Sequence, residues 1–578
     1  MTDIPIPPQP NGGWDDPRAG RPPVHPSVSE AGRLLCAGTY LDAGYRDRVI
    51  DELYVHEERL VAPAYGFDTT RVLAHALRAR RFELGWAAGI LAAWFVGGLL
   101  TSGLLTLVLV PFLLLTLANW LRARGTVLLR FLGLVVRIYA WWMLLVLVVA
   151  LVGLGLALGG AFGEVVGFGA LFAVGSLTGS GPGSSGGGLA LWMLPLTFAG
   201  LVTLVALQRG HVARIIAGEL SPRRYADQAG DPAEAAPTPR FERIRRRIRA
   251  EQHSPLVMYD VNDPLCGAGE PYYPWHLSVE LRPREDLGPD RKPTPVTNAG
   301  IVEQIVPLLQ ALRVPSPHGS PEAEAAVMDR LRELVIDECT FTPVDGLAHR
   351  DAAPLAPHIF AAQRPAAIEE GGERRRHFLR VRVGGWDENL VVTVFVRVHT
   401  QGGMMMLEVA PHVLLPVRTR FYNADADAQR YLNNNALGKA AWALVHTPGS
   451  FAAAVTTLAR GLAGWWRIVT GGHGGARAEG PRLSVRELAS QDNGSIFHLM
   501  DVDRYLKTIQ DRVVHGVTLA LDAAGWHTEE FARRGTAITV ASGGTYIGSM
   551  GSFSVHDSSF SIGGTGVHNT TNGTRGTK

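Results

Sequence analysis

The densest chemistry in the chain is cationic. Arg240, Arg243, Arg245, Arg246, Arg247 and Arg249 fall within ten residues and surround Phe241, Ile244 and Ile248, which share one helical face. Beside a bilayer such a helix can rest on anionic lipid headgroups, each basic residue near the surface contributing about 1 kcal/mol. The plainer reading is a solvated helix that only reinforces membrane topology. Nucleic acid is not the expected partner: the net charge is +2 and no nucleic-acid-binding fold accompanies the patch.

Other candidate chemistry fails on spacing. His56-Glu57-Glu58 opens like a zinc-protease motif, but Leu60 stands where the second His belongs. Gly267-Ala268-Gly269 lacks the third Gly and the following helix of a dinucleotide loop, so a β-turn is expected. Asn423, Asp425 and Asp427 have the spacing that opens a calcium loop. Ala428 then replaces the turn Gly and Asn434 the bidentate Glu, which leaves an Asp-rich helix start. Cys36, Cys266 and Cys339 are too far apart for a CxxC site or a disulfide framework. No nucleophile elbow, phosphate loop, kinase or deaminase signature is present. No catalytic, cofactor-binding or metal-ligating residue is therefore assigned, and the chain is not expected to be an enzyme.

The elements that must carry the cationic patch are unusual. The 578-residue chain is poor in charge at 19%, and its mean hydropathy is +0.09. Leu84–Leu121 is 38 residues without a charge, and between Ile138 and Gln208 only Glu164 is charged. A single span takes about 20 residues. The pattern predicts four transmembrane helices, near 84–101, 104–121, 138–160 and 189–208, with a turn at Thr101-Ser102-Gly103. The Gly-rich tract 179–188 is expected not to hold a helix, and 161–178 reads as re-entrant or interfacial. Arg78, Arg80 and Arg81, then Arg122, Arg124, Arg130 and Arg137, then Arg209, Arg214, Arg223 and Arg224 flank these segments. The two intervening loops carry no Lys or Arg. The positive-inside rule then puts both termini in the cytoplasm of a multi-pass protein of the plasma membrane.

The remainder divides into a disordered Pro-rich tail (1–26), a helical segment (27–82), the transmembrane region (83–209), a basic linker (210–254), a main cytosolic domain (255–435), amphipathic helices suited to the membrane surface (436–475), a helical segment (476–535) and a Gly/Ser/Thr-rich tail (536–578). In the main domain, strands are expected at 256–259, 276–281, 378–383, 390–398 and 404–415, and helices at 298–312 and 321–338. This is an α+β domain with an antiparallel sheet. Asp68 is a candidate N-cap, and Gly525 a candidate helix stop. In the tail, Ala537–Val540, Thr545–Ile547, Phe553–Val555 and Phe560–Ile562 read as short β pieces of a small solenoid that needs another copy to stack on.

Several local motifs resemble a group of uncharacterised actinobacterial multi-pass integral membrane proteins. They are Arg33-Leu34-Leu35-Cys36-Ala37-Gly38-Thr39-Tyr40-Leu41-Asp42, Val61-Ala62-Pro63-Ala64-Tyr65-Gly66, Val257-Met258-Tyr259, Pro264-Leu265-Cys266-Gly267-Ala268-Gly269-Glu270, Trp275 and Asp501-Val502-Asp503-Arg504-Tyr505. The resemblance implies membrane residence and no particular activity. The expected function is a non-catalytic cytosolic domain displayed from the membrane: a scaffold, sensor or accessory protein with a protein partner, in a possible homo-oligomer. The alternatives are an oligomeric channel or transporter and, less favoured, a membrane-anchored enzyme. The spans contain no ionisable residue of the kind transport pathways need.

Overall fold

The computed structural model describes residues 25–123, 127–158, 185–235, 238–285, 292–313, 331, 333–386, 389–470 and 476–542. The Pro-rich tail up to residue 24, the 161–178 segment with Glu164, and the three later β pieces of the C-terminal tail lie outside these residues.

Helices α1 (Glu30–Leu41) and α2 (Ala43–Ile50) open the described chain. Ser29 caps α1 by accepting from the Gly32 amide at 3.1 Å, and the Asp42 carboxylate caps α2 by accepting from Gly44 and Tyr45. Gly38 is required by a close approach: a Cβ there would lie 2.5 Å from the Phe421 ring.

Helix α3 (Thr69–Leu100) is capped by Asp68, whose carboxylate accepts from Thr70 N at 2.8 Å. Thirty-two residues at about 1.5 Å each make a rod of roughly 48 Å. Its first two turns, Thr69 to Ala76, are fully buried among α1, α2 and later segments. Its far end leaves Phe95 and Leu99 about two-thirds exposed.

The chain then turns at Thr101–Gly103, where Ser102 and Gly103 take positive φ and the Thr101 hydroxyl donates to Gly97 O at 2.7 Å. Helices α4 (Leu104–Ala123), α5 (Val127–Leu158) and α6 (Ser185–Arg214) follow. Helix α6 begins inside the Gly-rich tract that the sequence reading leaves without helix. Once an apolar helix is set downstream, its first turn extends over Ser185–Gly188 despite poor intrinsic propensity.

Among the described residues, three helical stretches are long and apolar enough to cross a membrane: Thr69–Leu100, Leu128–Val146 and Met193–Glu219. Helix α5 turns apolar side chains outward over most of its circumference: Leu128, Phe131, Ile138, Tyr139, Trp141, Trp142, Leu145 and Val149 are all exposed.

Helix α7 (Pro239–Glu251) carries the arginine run. Thr238 caps it, Pro239 starts it, and Phe241, Ile244 and Ile248 are buried in the same core as the base of α3.

Strands β1 (Leu256–Tyr259), β2 (Glu270–Pro271), β3 (Trp275–Glu280), β4 (Leu334–Pro343), β5 (Arg376–Gly385), β6 (Leu390–Gln401) and β7 (Met404–Leu414) form one sheet. Its strand order is β1-β4-β5-β6-β7-β2, with β3 also paired to β7. The sheet is mixed, which corrects the antiparallel expectation: β1 runs parallel to β4, Leu256 opposite Thr340. The reason is connectivity. The chain leaves β1 through β2, β3 and helix α8 (Asn298–Gln310), and a crossover of that length permits parallel pairing. A second correction concerns 321–338. Residues 334–338 open β4 and pair with β5, Leu334 opposite Val383. The apolar run there fits either period, and pairing with an available strand decides it.

One face of the sheet packs on α8 and α12 (Ile496–Ala523), burying Val392, Val394 and Val396 in one core with Ile305, Leu309, Val513 and Val517. The other face carries Phe341, Phe378 and Phe395 against Tyr65 of the N-terminal unit. Helix α12 stops as expected, with Gly525 at φ +83°. Ala537–Val540 is not a strand. It continues helix α13 (Glu529–Ser542), whose Phe531 anchors in the sheet core and whose Gly535 abuts Val514. Packing on α12 overrides the local β preference.

Helix α9 (Pro357–Glu369) packs against β4 and β5 and is held by Arg364, whose Nη2 donates to Glu338 at 2.7 Å. The His377 ring lies 3.2 Å from the same carboxylate. Burial would push the Glu338 carboxyl up, but His377 and Arg364 more than reverse this and hold it at about 2. A lowered carboxyl pKa stabilises the folded state fully above the ordinary value of 4.5 and loses that contribution as pH falls toward 2. The Glu338→Gln variant is expected to lose on the order of 3 kcal/mol of this acid-sensitive stability. Thermal unfolding between pH 6 and about 2.5 checks it: the variant curve should be the flatter one.

Helices α10 (Ala424–Asn433) and α11 (Ala436–Thr470) return to the apolar helices. The Tyr431 hydroxyl donates to Ala206 O of α6 at 2.8 Å. Ala454, Phe451 and Leu458 of α11 pack with Ile90 and Trp94 of α3, and Trp94 Nε1 donates to Ser450 Oγ at 3.2 Å. Trp465 and Trp466 stay exposed near its end.

Candidate functional site

Five of the six predicted arginines of α7 are in ion pairs. Glu57, from the turn after α2, is the hub: Arg240 lies 2.7 Å from it, Arg243 3.3 Å and Arg247 3.5 Å. Arg247 also meets Asp351 at 2.6 Å. Arg245 pairs with Glu242 at 2.8 Å and with Glu234 at 3.6 Å, and Arg249 with Glu234 at 3.6 Å. Arg246 is exposed and forms no ion pair among the described residues. At the end of the helix, Glu251 accepts both arms of Arg350 at 2.7 Å, and its Oε2 also accepts from Val61 N at 2.8 Å. Thus α7 ties the N-terminal unit to the sheet unit, and Arg243 and Arg246 form most of its open cationic surface.

A second constellation, which the sequence reading does not pick out, lies at the base of α3. Arg71 and His75, one helical turn apart, converge on Asp231. Arg71 Nη2 donates to Asp231 Oδ2 at 2.7 Å, and His75 Nε2 lies 3.1 Å from the same oxygen. The other His75 nitrogen is 3.1 Å from the Tyr40 hydroxyl. The Arg71 guanidinium stacks 3.8 Å from the centre of the Tyr225 ring and donates to the Ser27 and Tyr225 carbonyls. All of Arg71, His75 and Asp231 are at most 7% exposed. Burial pushes the Asp231 carboxyl up, but the His75 contact and the Arg71 pair outweigh it and leave the carboxyl well below the usual range.

The arrangement resembles a proton relay that ends at the Tyr40 hydroxyl, which burial pushes far up, away from the reactive phenolate. Cys36 lies 3.9 Å from the Tyr225 hydroxyl, and burial pushes its thiol far up, away from the reactive thiolate. The cluster acts as a lock holding the foot of α3. The sequence holds one signal of it: Arg71 and His75 share one face within an otherwise apolar stretch, Val72, Leu73 and Ala76. Asp231, 156 residues beyond His75, sits in a linker with no periodicity to mark it.

The other sequence candidates also find structural partners. Glu487 accepts from Gly267 N at 2.7 Å and Gly269 N at 2.9 Å, so the chain's own carboxylate fills that glycine turn. Burial nets the Glu487 carboxyl upward despite those two amides. Asp425 starts α10 and pairs with buried Arg33 at 2.7 Å.

These features define a class: a set of apolar helices locked at their base to a helical unit that carries a mixed-sheet domain. A family model described as an AbeC-like domain matches residues 274–554, from just before β3 to beyond α13. No curated protein and no solved structure matches the chain.

Proposed function

We propose that this chain is a multi-pass membrane protein of the plasma membrane that holds a cytosolic binding domain of the sensor or scaffold type against the bilayer. The observation that carries the reading is α3. One unbroken helix begins in the buried core with Arg71 locked to Asp231 and ends with Phe95 and Leu99 open. An element shared in this way links whatever the domain binds to the apolar bundle.

The reading places four spans, on α3, α4, α5 and α6, with both termini on the cytoplasmic side as the arginine clusters direct. The end of helix α11 lies at the headgroup level, its exposed Trp465 and Trp466 in the interfacial belt. Arg243 and Arg246 are the part of α7 left to meet anionic headgroups. No catalytic role is assigned, because the titratable clusters described are closed by their own partners.

Topology reporters fused after residues 82, 125, 180, 254 and 578 test the reading. Cytoplasmic signals at 82, 125, 254 and 578 with an external signal at 180 are expected. An external signal at 254 or 578 would overturn it.

A further inference from the structure

The face of the sheet turned toward Tyr65 holds a charge without a counter-ion. On β5, Arg380 and Arg382 point to the same side, two residues apart. Arg380 stands opposite Asp337 of β4, pairs with it at 2.6 Å and lies 5.0 Å from the Tyr65 ring centre. Arg382 stands opposite Val335 instead. It is 8% exposed and forms no hydrogen bond or ion pair among the described residues; its Nη1 is wholly enclosed.

The row continues across the sheet. Arg382 is in register with Thr393 of β6, and Thr393 with His412 of β7. Directly opposed side chains in such rows lie about 5 Å apart. Thr393 is fully buried, and its hydroxyl has no partner among the described residues. His412 is 7% exposed, packs edge-on to Phe395 and has Nδ1 3.2 Å from Ala410 O. A carbonyl only accepts, so Nδ1 carries the hydrogen, and Nε2 of the neutral ring is left with a lone pair. Burial pushes His412 down, which keeps that ring neutral. The charge of this face is felt beyond the row: burial, and then Arg382 and Arg380 against the opposing pull of Asp68, bring His253 down to about 4. The acid acting on His412 is Asp263, on an exposed loop.

A buried guanidinium is costly unless an anion meets it. Its planar fork fits two oxygens of one oxyanion, and Thr393 supplies a further hydroxyl donor. The Nε2 lone pair of His412 is then an acceptor for a proton the ligand carries. We propose that Arg382, Thr393 and His412 bind inorganic phosphate, an oxyanion that keeps a proton throughout the neutral range. Sulfate matches phosphate in shape but has no proton for His412, so the row discriminates between them. The inference adds a ligand class to the binding role proposed above, and it does not depend on the bilayer.

The test uses the full chain purified in detergent at neutral pH, titrated with inorganic phosphate and with sulfate at matched ionic strength. Calorimetry should give saturable phosphate binding, with sulfate at least tenfold weaker, and phosphate should raise the unfolding midpoint. A parallel titration with glycerol phosphate, whose second proton is lost at about pH 6, should give at least severalfold weaker binding than inorganic phosphate, and equal affinity would count against the His412 contact. Thr393→Val, nearly isosteric, should weaken phosphate at least tenfold. Arg382→Met should abolish the effect of phosphate while unfolding, without ligand, no earlier than the parent, because it removes an uncompensated charge. Equal responses to phosphate and sulfate, or parental affinity in Arg382→Met, would overturn the proposal. Neither result bears on the topology reporters, so the two readings fail separately.

Discussion

Exchanging Asp231 for alanine is expected to cost about 3–5 kcal/mol, a large share of the roughly 5–15 kcal/mol that keeps a domain folded. Among the described residues the carboxylate is the sole acidic partner of Arg71, whose side chain is 1% exposed, and it also receives His75. Removing it leaves a buried cation with only carbonyl oxygens and the Tyr225 ring around it. Asp231→Asn keeps the shape and the Oδ1 acceptor for Ala233 N but drops the charge, so its loss should be smaller. Limited proteolysis of the purified protein checks the order. Cleavage in 25–80 should appear first in Asp231→Ala, then in Asp231→Asn, and last in the parent. Because the foot of α3 depends on this pair, the apolar helices should remain associated with detergent while the soluble part loosens.

The substitution Val149→Arg separates a lipid-facing helix from an exposed protein one. Val149 is 63% exposed and lies in the charge-free part of α5. In a bilayer an arginine near a span centre costs about 2.5–3.5 kcal/mol of insertion free energy. In water the same change on an exposed position is nearly neutral. The external signal of a reporter fused after residue 180 should therefore fall in Val149→Arg, while the other three proposed spans keep the chain in the membrane. An unchanged external signal would count against Val149 facing lipid in a span.

Much of the architecture is legible in the sequence because it rests on local rules. Asp68, Gly525 and the turn at Thr101–Gly103 act through their own backbone neighbours, and each occupies its expected role. The strands expected at 378–383 and 390–398, bounded by glycine turns, fall within a few residues of Arg376–Gly385 and Leu390–Gln401. What escapes the sequence is decided at long range. The Leu334–Glu338 segment satisfies a helical period until β5 offers it hydrogen bonds. The arginines of α7 look like an open cationic face because Glu57, Glu234 and Asp351, which meet them, come from three other segments. Arg71 with Asp231, and Arg382 opposite Val335 rather than an acid, become visible only when strands and linkers are placed side by side.

The path of the chain through the sheet has a consequence for biosynthesis. The strand β7 ends at Leu414, yet α12, which covers that sheet, begins only at Ile496, after α11 has lain along the apolar bundle. At roughly 5–20 residues per second, a ribosome leaves the valine face of β6 uncovered for several seconds or more. During that interval the nascent sheet has α8 as its main shelter. Chaperone capture of ribosome-bound chains should therefore peak between the emergence of β7 and that of α12, and a chain halted just short of Ile496 should be the most aggregation-prone truncation.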